Sequence, residues 1–281
     1  MTKTGITIVG AGNLASTLAA SLQRAGYKVD GIATRSSPAS TGRAKKLARA
    51  VHSRVISPAE IESAIVWFCV PDGEIVRAAH RLAGAGEWRG RVIFHSSGAL
   101  TSDELNVFRH RGAAVASAHP MMTFVPGSRP SLAGVPFAIE GDAQAMRVAR
   151  GIIERLGGRA FSIRKHDKVA YHAWGMFASP LLTVLLATTE QVAAAAGVQP
   201  KAARERMLPI LAQTITNYAA LGAAETLSGP IVRGDVDTIK KHLRVLRRIP
   251  IARDVYIALA RASLGYLPAK NLGELERILG A

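Results

Sequence analysis

The stretch Gly10-Ala11-Gly12-Asn13-Leu14-Ala15 constrains this chain more than any other. It follows the apolar run Ile6–Val9 directly and opens the amphipathic segment Asn13–Ala25. That order predicts a strand, a tight turn and a helix in immediate succession. Gly10 permits the turn, Gly12 lets the backbone approach a bound group, and Ala15 allows close packing of helix on strand. The helix N-terminus offers unpaired N–H groups and a positive dipole end to phosphates. Gly10, Gly12, Asn13 and Leu14 are therefore candidate residues for holding a dinucleotide.

The rest of the first half alternates in the same way. Strands are expected at Val29–Ala33, Ile65–Val70, Val92–His95, Ala114–Ser117, Pro136–Ile139 and Arg159–Ile163. Helices are expected at Ser40–Ala50, Glu74–Ala83, Thr101–Arg109 and Ala143–Leu156. From Asp167 onward the pattern is helical: Lys168–Ala196, Pro200–Leu221, Asp235–Arg248 and Val255–Leu264, punctuated by Gly197, Gly222 and Ser228-Gly229-Pro230. The fold class is α/β, an N-terminal Rossmann doubly wound parallel sheet followed by a C-terminal all-α domain. The expected division is 1–165 for cofactor binding and 166–281 for substrate closure and dimerisation.

The second strand ends Ala33-Thr34-Arg35-Ser36. An NAD-binding chain usually places an acid here for the ribose hydroxyls. Two hydroxyls around a guanidinium suit a 2′-phosphate instead, so Thr34, Arg35 and Ser36 point to NADP(H). An ordinary exposed arginine is the alternative. The missing acid also argues against an S-adenosylmethionine methyltransferase. Val70 and Pro71, at the end of Ile65–Val70, should lie beside the cofactor's ribose and nicotinamide. Cys69 reads as a small buried strand residue.

Two more strand ends carry polar residues, Phe94-His95-Ser96-Ser97-Gly98 and Ala118-His119-Pro120. Both belong at the carboxyl edge of the sheet, where substrates of open α/β sheets bind. His119 is expected to transfer a proton with an imidazole near its ordinary pKa, and Ser97 to orient the substrate oxygen. His172 shares a helix face with Met176 and Ser179; it either closes the cleft or is a hydrogen-bonded core histidine. Asp235 is expected to cap a helix, and Arg233 either belongs to that turn or pairs with a substrate carboxylate. No metal site is assigned.

Several classes are disfavoured. The single cysteine fits a reducing, cytoplasmic setting, and Met1–Gly5 has no leader-like character. The uncharged Ala173–Thr189 stretch has 17 residues, short of a usual membrane span, and is expected to be a buried helix. The formal charge of +16 is spread along the chain. Its densest cluster, Lys240, Lys241, Arg244, Arg247 and Arg248, reads as a solvated helix face rather than a nucleic-acid site. The apolar helical domain leads to the expectation of a homodimer.

Taken together, Gly10–Ala15, His95–Gly98, Ala118–Phe124, Tyr171–Pro180 and Gly229–Asp235 resemble a bacterial family of Rossmann-like oxidoreductases. Its helical part is catalogued only as domain of unknown function 2520. The resemblance extends to pyrroline-5-carboxylate reductases, ketopantoate reductases, β-hydroxyacid dehydrogenases and prephenate dehydrogenases. It implies an oxidoreductase but no settled substrate; the expected reaction is hydride transfer between NADP(H) and a small carbonyl/hydroxyl or imine/amine compound, and the basic cleft suits one bearing a carboxylate. By similarity to prephenate dehydrogenases it implies that Ser97 and His119 hold a substrate hydroxyl. Where the family writes Ser-Asn, this chain has Ser179-Pro180, which removes an amide and predicts a kink. The other reading is a catalytically silent NADP(H) sensor or scaffold.

Overall fold

A computed structural model describes residues 5–266 and 268–280; the polar lead-in at 1–4 lies outside them. Its chain divides into two compact units, Met1–Met176 and Phe177–Ala281.

The first unit is built on one eight-stranded sheet: β1 (Gly5–Val9), β2 (Lys28–Ala33), β3 (Val55–Ile56), β4 (Ile65–Phe68), β5 (Val92–His95), β6 (Ala114–Pro120), β7 (Pro136–Gly141) and β8 (Arg159–Ser162). Their spatial order is β3-β2-β1-β4-β5-β6-β7-β8. Every neighbouring pair is parallel except β6 and β7, which run antiparallel. The expectation of a parallel sheet is corrected at that one pair. The chain between Pro120 and Pro136 contains no helix to carry a parallel crossover, so the next strand returns antiparallel. The two-residue β3 was not foreseen; it is too short to show a pattern.

Helices α1 (Asn13–Arg24), α2 (Pro38–Ala50), α3 (Asp72–Ala83), α4 (Asn106–Arg109), α5 (Ala143–Arg155) and α6 (Lys168–Met176) accompany the sheet. The helix expected at Thr101–Arg109 is a 3-10 turn, Ser102–Leu105, followed by the single turn of α4. Two apolar layers flank the sheet. Ile8, Ile32 and Trp67 pack with Leu18, Ala44 and Ile153 of α1, α2 and α5 on one face. Val9, Phe68 and Val115 pack with Ile75 and Phe108 of α3 and α4 on the other. Strands buried on both faces have no polar alternation, as Ile65-Val66-Trp67-Phe68 illustrates. The first unit extends to Met176 because Lys168 and Tyr171 of α6 are buried with the sheet.

The second unit begins with a π-helical turn, Phe177–Leu181, containing Pro180. Proline has no N–H to donate, and the wider turn is where the expected kink is absorbed. Then follow α7 (Leu182–Ala195), α8 (Pro200–Leu221), α9 (Ala223–Thr226), α10 (Pro230–Arg233), α11 (Val236–Leu246), α12 (Pro250–Tyr266) and α13 (Leu272–Leu279). Val236, Ile239, Ala260, Leu275 and Leu279 form its core. Asp235 caps α11 by accepting from the Thr238 amide at 3.1 Å. Lys240 pairs with Glu274 at 3.3 Å, and Lys241 and Arg244 face solvent.

The expectation of a buried Ala173–Thr189 helix is overturned. Within α7 only Thr188 is buried, and Phe177 and Val184 are 73% and 57% exposed. The helical run Lys165–Ala195 is, by length and composition, long and apolar enough to cross a membrane. Counting only its uncharged centre understated that length.

Candidate functional site

Two neighbouring constellations occupy the carboxyl edge of the sheet in the first unit. The first is the glycine turn. Gly10 has φ +116°, and a Cβ there would lie 2.3 Å from the Cys69 carbonyl oxygen, so only glycine fits. Nothing in the protein lies within 4 Å of the place a Gly12 side chain would take. The space there is free for a ligand to approach the backbone. Gly12 is the N-cap of α1 and makes no side-chain cap, which leaves the first-turn amides available to an anion. Ala15 is fully buried beneath the helix.

A cavity of about 320 Å³ opens over this turn, lined by Gly10, Gly12, Asn13, Thr34, Arg35, Val70 and Pro71. The structure thus brings together seven of the nine expected cofactor residues. Leu14 and Ser36 are not among the lining residues: Leu14 packs on the core, and Ser36 is exposed. Ser40, Arg43, Glu74 and Arg81 line it as well and were not anticipated. Arg35 donates to Ser40 Oγ at 3.1 Å and lies 3.7 Å from Glu74. Three arginines and two hydroxyls line the cleft, with Glu74 the one carboxylate among its lining residues, and form a phosphate-philic set. Arg43 and Arg81 sit at helix positions that read as ordinary solvated charge; only the fold reveals their convergence with Arg35.

The second constellation surrounds His119 at the end of β6. Its Nδ1 is 2.8 Å from the Tyr171 hydroxyl, and its ring centroid lies 6.3 Å from that of His172. A Cβ on Gly98 would come within 2.9 Å of His119 Nε2 and 2.8 Å of His172 Cδ2. The absent side chain at 98 leaves a gap between two imidazoles. Burial, reinforced by the Lys168 charge and the neighbouring histidines, lowers the His119 pKa from its ordinary 6.5 to about 4. The expected imidazole poised near neutrality is therefore corrected: His119 is uncharged at pH 7. Burial likewise pushes the Tyr171 phenol up to about 12.

Ser97 lies in this region, but its hydroxyl is fully engaged. It donates to Asp72 Oδ2 at 2.8 Å and accepts from the Ala99 and Leu100 amides at 3.2 and 2.9 Å. A hydroxyl has one proton and two lone pairs, and all three are used within the protein. Ser97 thus fixes the turn that carries Gly98, in place of orienting a substrate oxygen. His95 supports the same turn. It is fully buried, its Nδ1 accepts from the Ser97 amide at 3.1 Å, and its Nε2 lies 2.9 Å from the Thr101 carbonyl. Those partners specify the neutral ring with the proton on Nε2, and burial lowers its pKa to about 4.

Asp72, the first residue of α3, joins the two constellations. It follows Pro71 of the cofactor cleft and accepts from Ser97 of the Gly98 turn. Asp72, Tyr171 and Lys168 were not singled out for roles by sequence reasoning, although Tyr171 opens the Tyr171–Pro180 segment that carries part of the resemblance. Cys69 is buried, and burial pushes its thiol up to about 12, as a structural cysteine requires. Arg233 ends α10 in the second unit.

The comparisons with known proteins agree with this architecture. The sequence matches a Rossmann-like domain over residues 1–120 and a domain of unknown function, DUF2520, over residues 135–263. No curated protein sequence matches it. A candidate NADP oxidoreductase from Bacteroides fragilis superposes with a TM-score of 0.77 at 22% identity, covering 92% of this chain and 97% of that one. A reductive aminase from Aspergillus terreus, solved with NADPH and ethyl-5-oxohexanoate, gives 0.69 at 15% identity, covering 99% and 100%. A pyrroline-5-carboxylate reductase from Coxiella burnetii gives 0.59 at 14% identity, covering 98% and 99%. At these identities the likeness is one of fold. The two matches together span most of the chain, a Rossmann-like domain followed by the domain of unknown function DUF2520.

Proposed function

We propose that the protein is an NADP(H)-dependent oxidoreductase acting on a small carbonyl/hydroxyl or imine/amine substrate that bears a carboxylate. The observation that carries the reading is the Asp72–Ser97 hydrogen bond, which ties the phosphate-philic cleft to the gap between His119 and His172. Cofactor and proton chemistry then share one sheet edge. Similar structures include a candidate NADP oxidoreductase and a reductive aminase solved with NADPH, and this cofactor fits the open space at Gly12 and the Arg35, Arg43 and Arg81 cluster.

When bound, the nicotinamide supplies or accepts the hydride. The chain's own residues do the rest. The amides at Gly12–Asn13 would hold the pyrophosphate, and Thr34, Arg35, Ser40 and Arg43 would hold the 2′-phosphate. With the Tyr171 hydroxyl donating a hydrogen bond to Nδ1, neutral His119 carries its own proton on Nε2, facing the Gly98 gap. There it donates a hydrogen bond to the oxygen or nitrogen on which charge develops. His172, across the gap, is the second imidazole available to move the proton. Gly98 leaves the reacting atom room.

A homodimer is part of the proposal. Leu208, Ile210, Ile215 and Leu221 of α8 are each more than half exposed, as is Val184 of α7. So much apolar helix surface needs a partner, and a second copy is the economical one. The apolar run is not assigned to a membrane, because its first turn is committed elsewhere: Lys168 is buried against the sheet.

The test is NADPH oxidation, followed by absorbance, across a panel of 2-oxo acids, cyclic imines and ketone–amine pairs. Turnover of one class is the expected result. Tight NADPH binding with no oxidation by any member would favour the silent sensor instead.

A further inference from the structure

Among the described residues Lys168 is the only buried lysine. Its ammonium donates to Ser117 Oγ at 2.6 Å and to the Ser97 carbonyl at 3.1 Å. It lies 3.9 Å from Glu140, itself buried, which accepts from the Ser102 amide at 2.6 Å and the Ser102 hydroxyl at 2.9 Å. Ser117 Oγ in turn donates to the Ser97 carbonyl at 3.1 Å. One buried ammonium thus gathers the turn after β5, strand β6, strand β7 and the first residue of α6.

Burying a lysine beside a carboxylate is a poor way to gain stability. Desolvation offsets most of the attraction, and apolar side chains of similar volume commonly serve as well. The arrangement makes sense if the charge has a task. Ser97 carries the turn to Gly98, His119 lies two residues beyond Ser117, and Tyr171 and His172 follow Lys168 on α6. Every wall of the gap is therefore attached to a ligand of this ammonium or to its own helix.

We propose that Lys168 is a positioning residue for the His119 site: its ammonium clamps the Gly98 turn and β6 to α6, and its charge opposes a second positive charge on His119. The assignment rests on the reading of the His119 gap given above. The groups that face His119 are His95 from β5 and Lys168, Tyr171 and His172 from α6. The carboxylates nearby, Glu140 of β7 and Asp72 of α3, act on Lys168 in the opposite sense. Burial brings Lys168 down to about 8, so it remains charged at neutral pH.

Histidine-labelled protein is titrated by NMR from pH 8 to 5, with the His119 resonance assigned by its loss in His119→Asn. At pH 5 about one molecule in ten of the parent should carry a protonated His119, and about half in Lys168→Met, a rise of ~1 pH unit in midpoint from loss of one nearby charge. Lys168→Arg, which keeps the charge, should titrate like the parent. If Lys168→Met does not fold, the paired Lys168→Met/Glu140→Gln variant leaves no unmatched buried charge and should show the same rise. An unchanged His119 midpoint in either folded variant overturns the assignment, and so does failure of both variants to fold, which would make Lys168 purely structural. The readout needs no substrate. A moved titration in a protein that never oxidises NADPH would refute the reaction while leaving this role standing.

Discussion

Lowering the pH from 7 to 4 loads a proton onto a group whose surroundings are fully specified. His95 has no exposed surface, its Nδ1 accepts from Ser97 and its Nε2–H is directed to Thr101. Burial, with Lys168 adding to it, takes its pKa from 6.5 to about 4. The unfolded chain therefore binds the proton first, between pH 6.5 and about 4, and the folded chain resists it. Stability from this group is fully present above 6.5 and is lost as the pH falls through the folded value. At ~1.4 kcal/mol per pH unit, the loss between pH 7 and pH 4 is about 3 kcal/mol. A protonated His95 would also lose the Ser97 hydrogen bond, since Nδ1 could no longer accept. The assay is urea unfolding at intervals across that range, parent against His95→Asn. The asparagine side-chain oxygen can still accept from Ser97 but does not titrate. The parent should lose about 3 kcal/mol more than the variant on acidification. Parallel pH dependences would refute the reasoning and leave His95 with no part in acid lability.

Two further outcomes follow from the geometry. Arg35→Asp should weaken NADPH by roughly 1–3 kcal/mol, about five- to 150-fold, and leave NADH nearly unaffected, as read by fluorescence titration; equal losses for both cofactors would remove the 2′-phosphate from this part of the cleft. Gly98→Ala should push His119 and His172 apart, since a Cβ has 2.9 and 2.8 Å to them; turnover on any substrate found should fall by about tenfold or more while NADPH affinity holds, and unchanged turnover would remove the gap from the reaction.

Much of the cofactor cleft was legible because its demands are local. A glycine at φ +116° against the Cys69 carbonyl has no substitute, and a strand-turn-helix reads directly from apolar periodicity. The polar residues at the ends of β5 and β6 were also visible, since polar side chains interrupt otherwise apolar strands there. What those residues do was less legible. Ser97 looks free in a sequence; its three hydrogen bonds come from Asp72 and from its own turn. The neutrality of His119 depends on burial and on Lys168, 49 positions away along the chain, and no spacing rule connects them. Lys168 itself reads as a surface lysine at the start of a helix. Its burial becomes sensible only when Glu140, an acid at the end of an apolar strand, is brought to 3.9 Å. The exposure of α7 was missed for a different reason: an apolar helix predicts burial, but not whether the burying surface belongs to the same chain.

The central claim is that NADP(H) and the His119 gap work on one substrate. It is tested most directly with NADPH carrying deuterium at both C4 positions, incubated with the panel and followed by mass spectrometry of the products. The account predicts one deuterium in the product of an accepted substrate, formed on the order of a hundredfold more slowly by His119→Asn at unchanged NADPH affinity. Deuterium transfer at the parent rate in His119→Asn, or NADPH bound and never oxidised by any member of the panel, would contradict it.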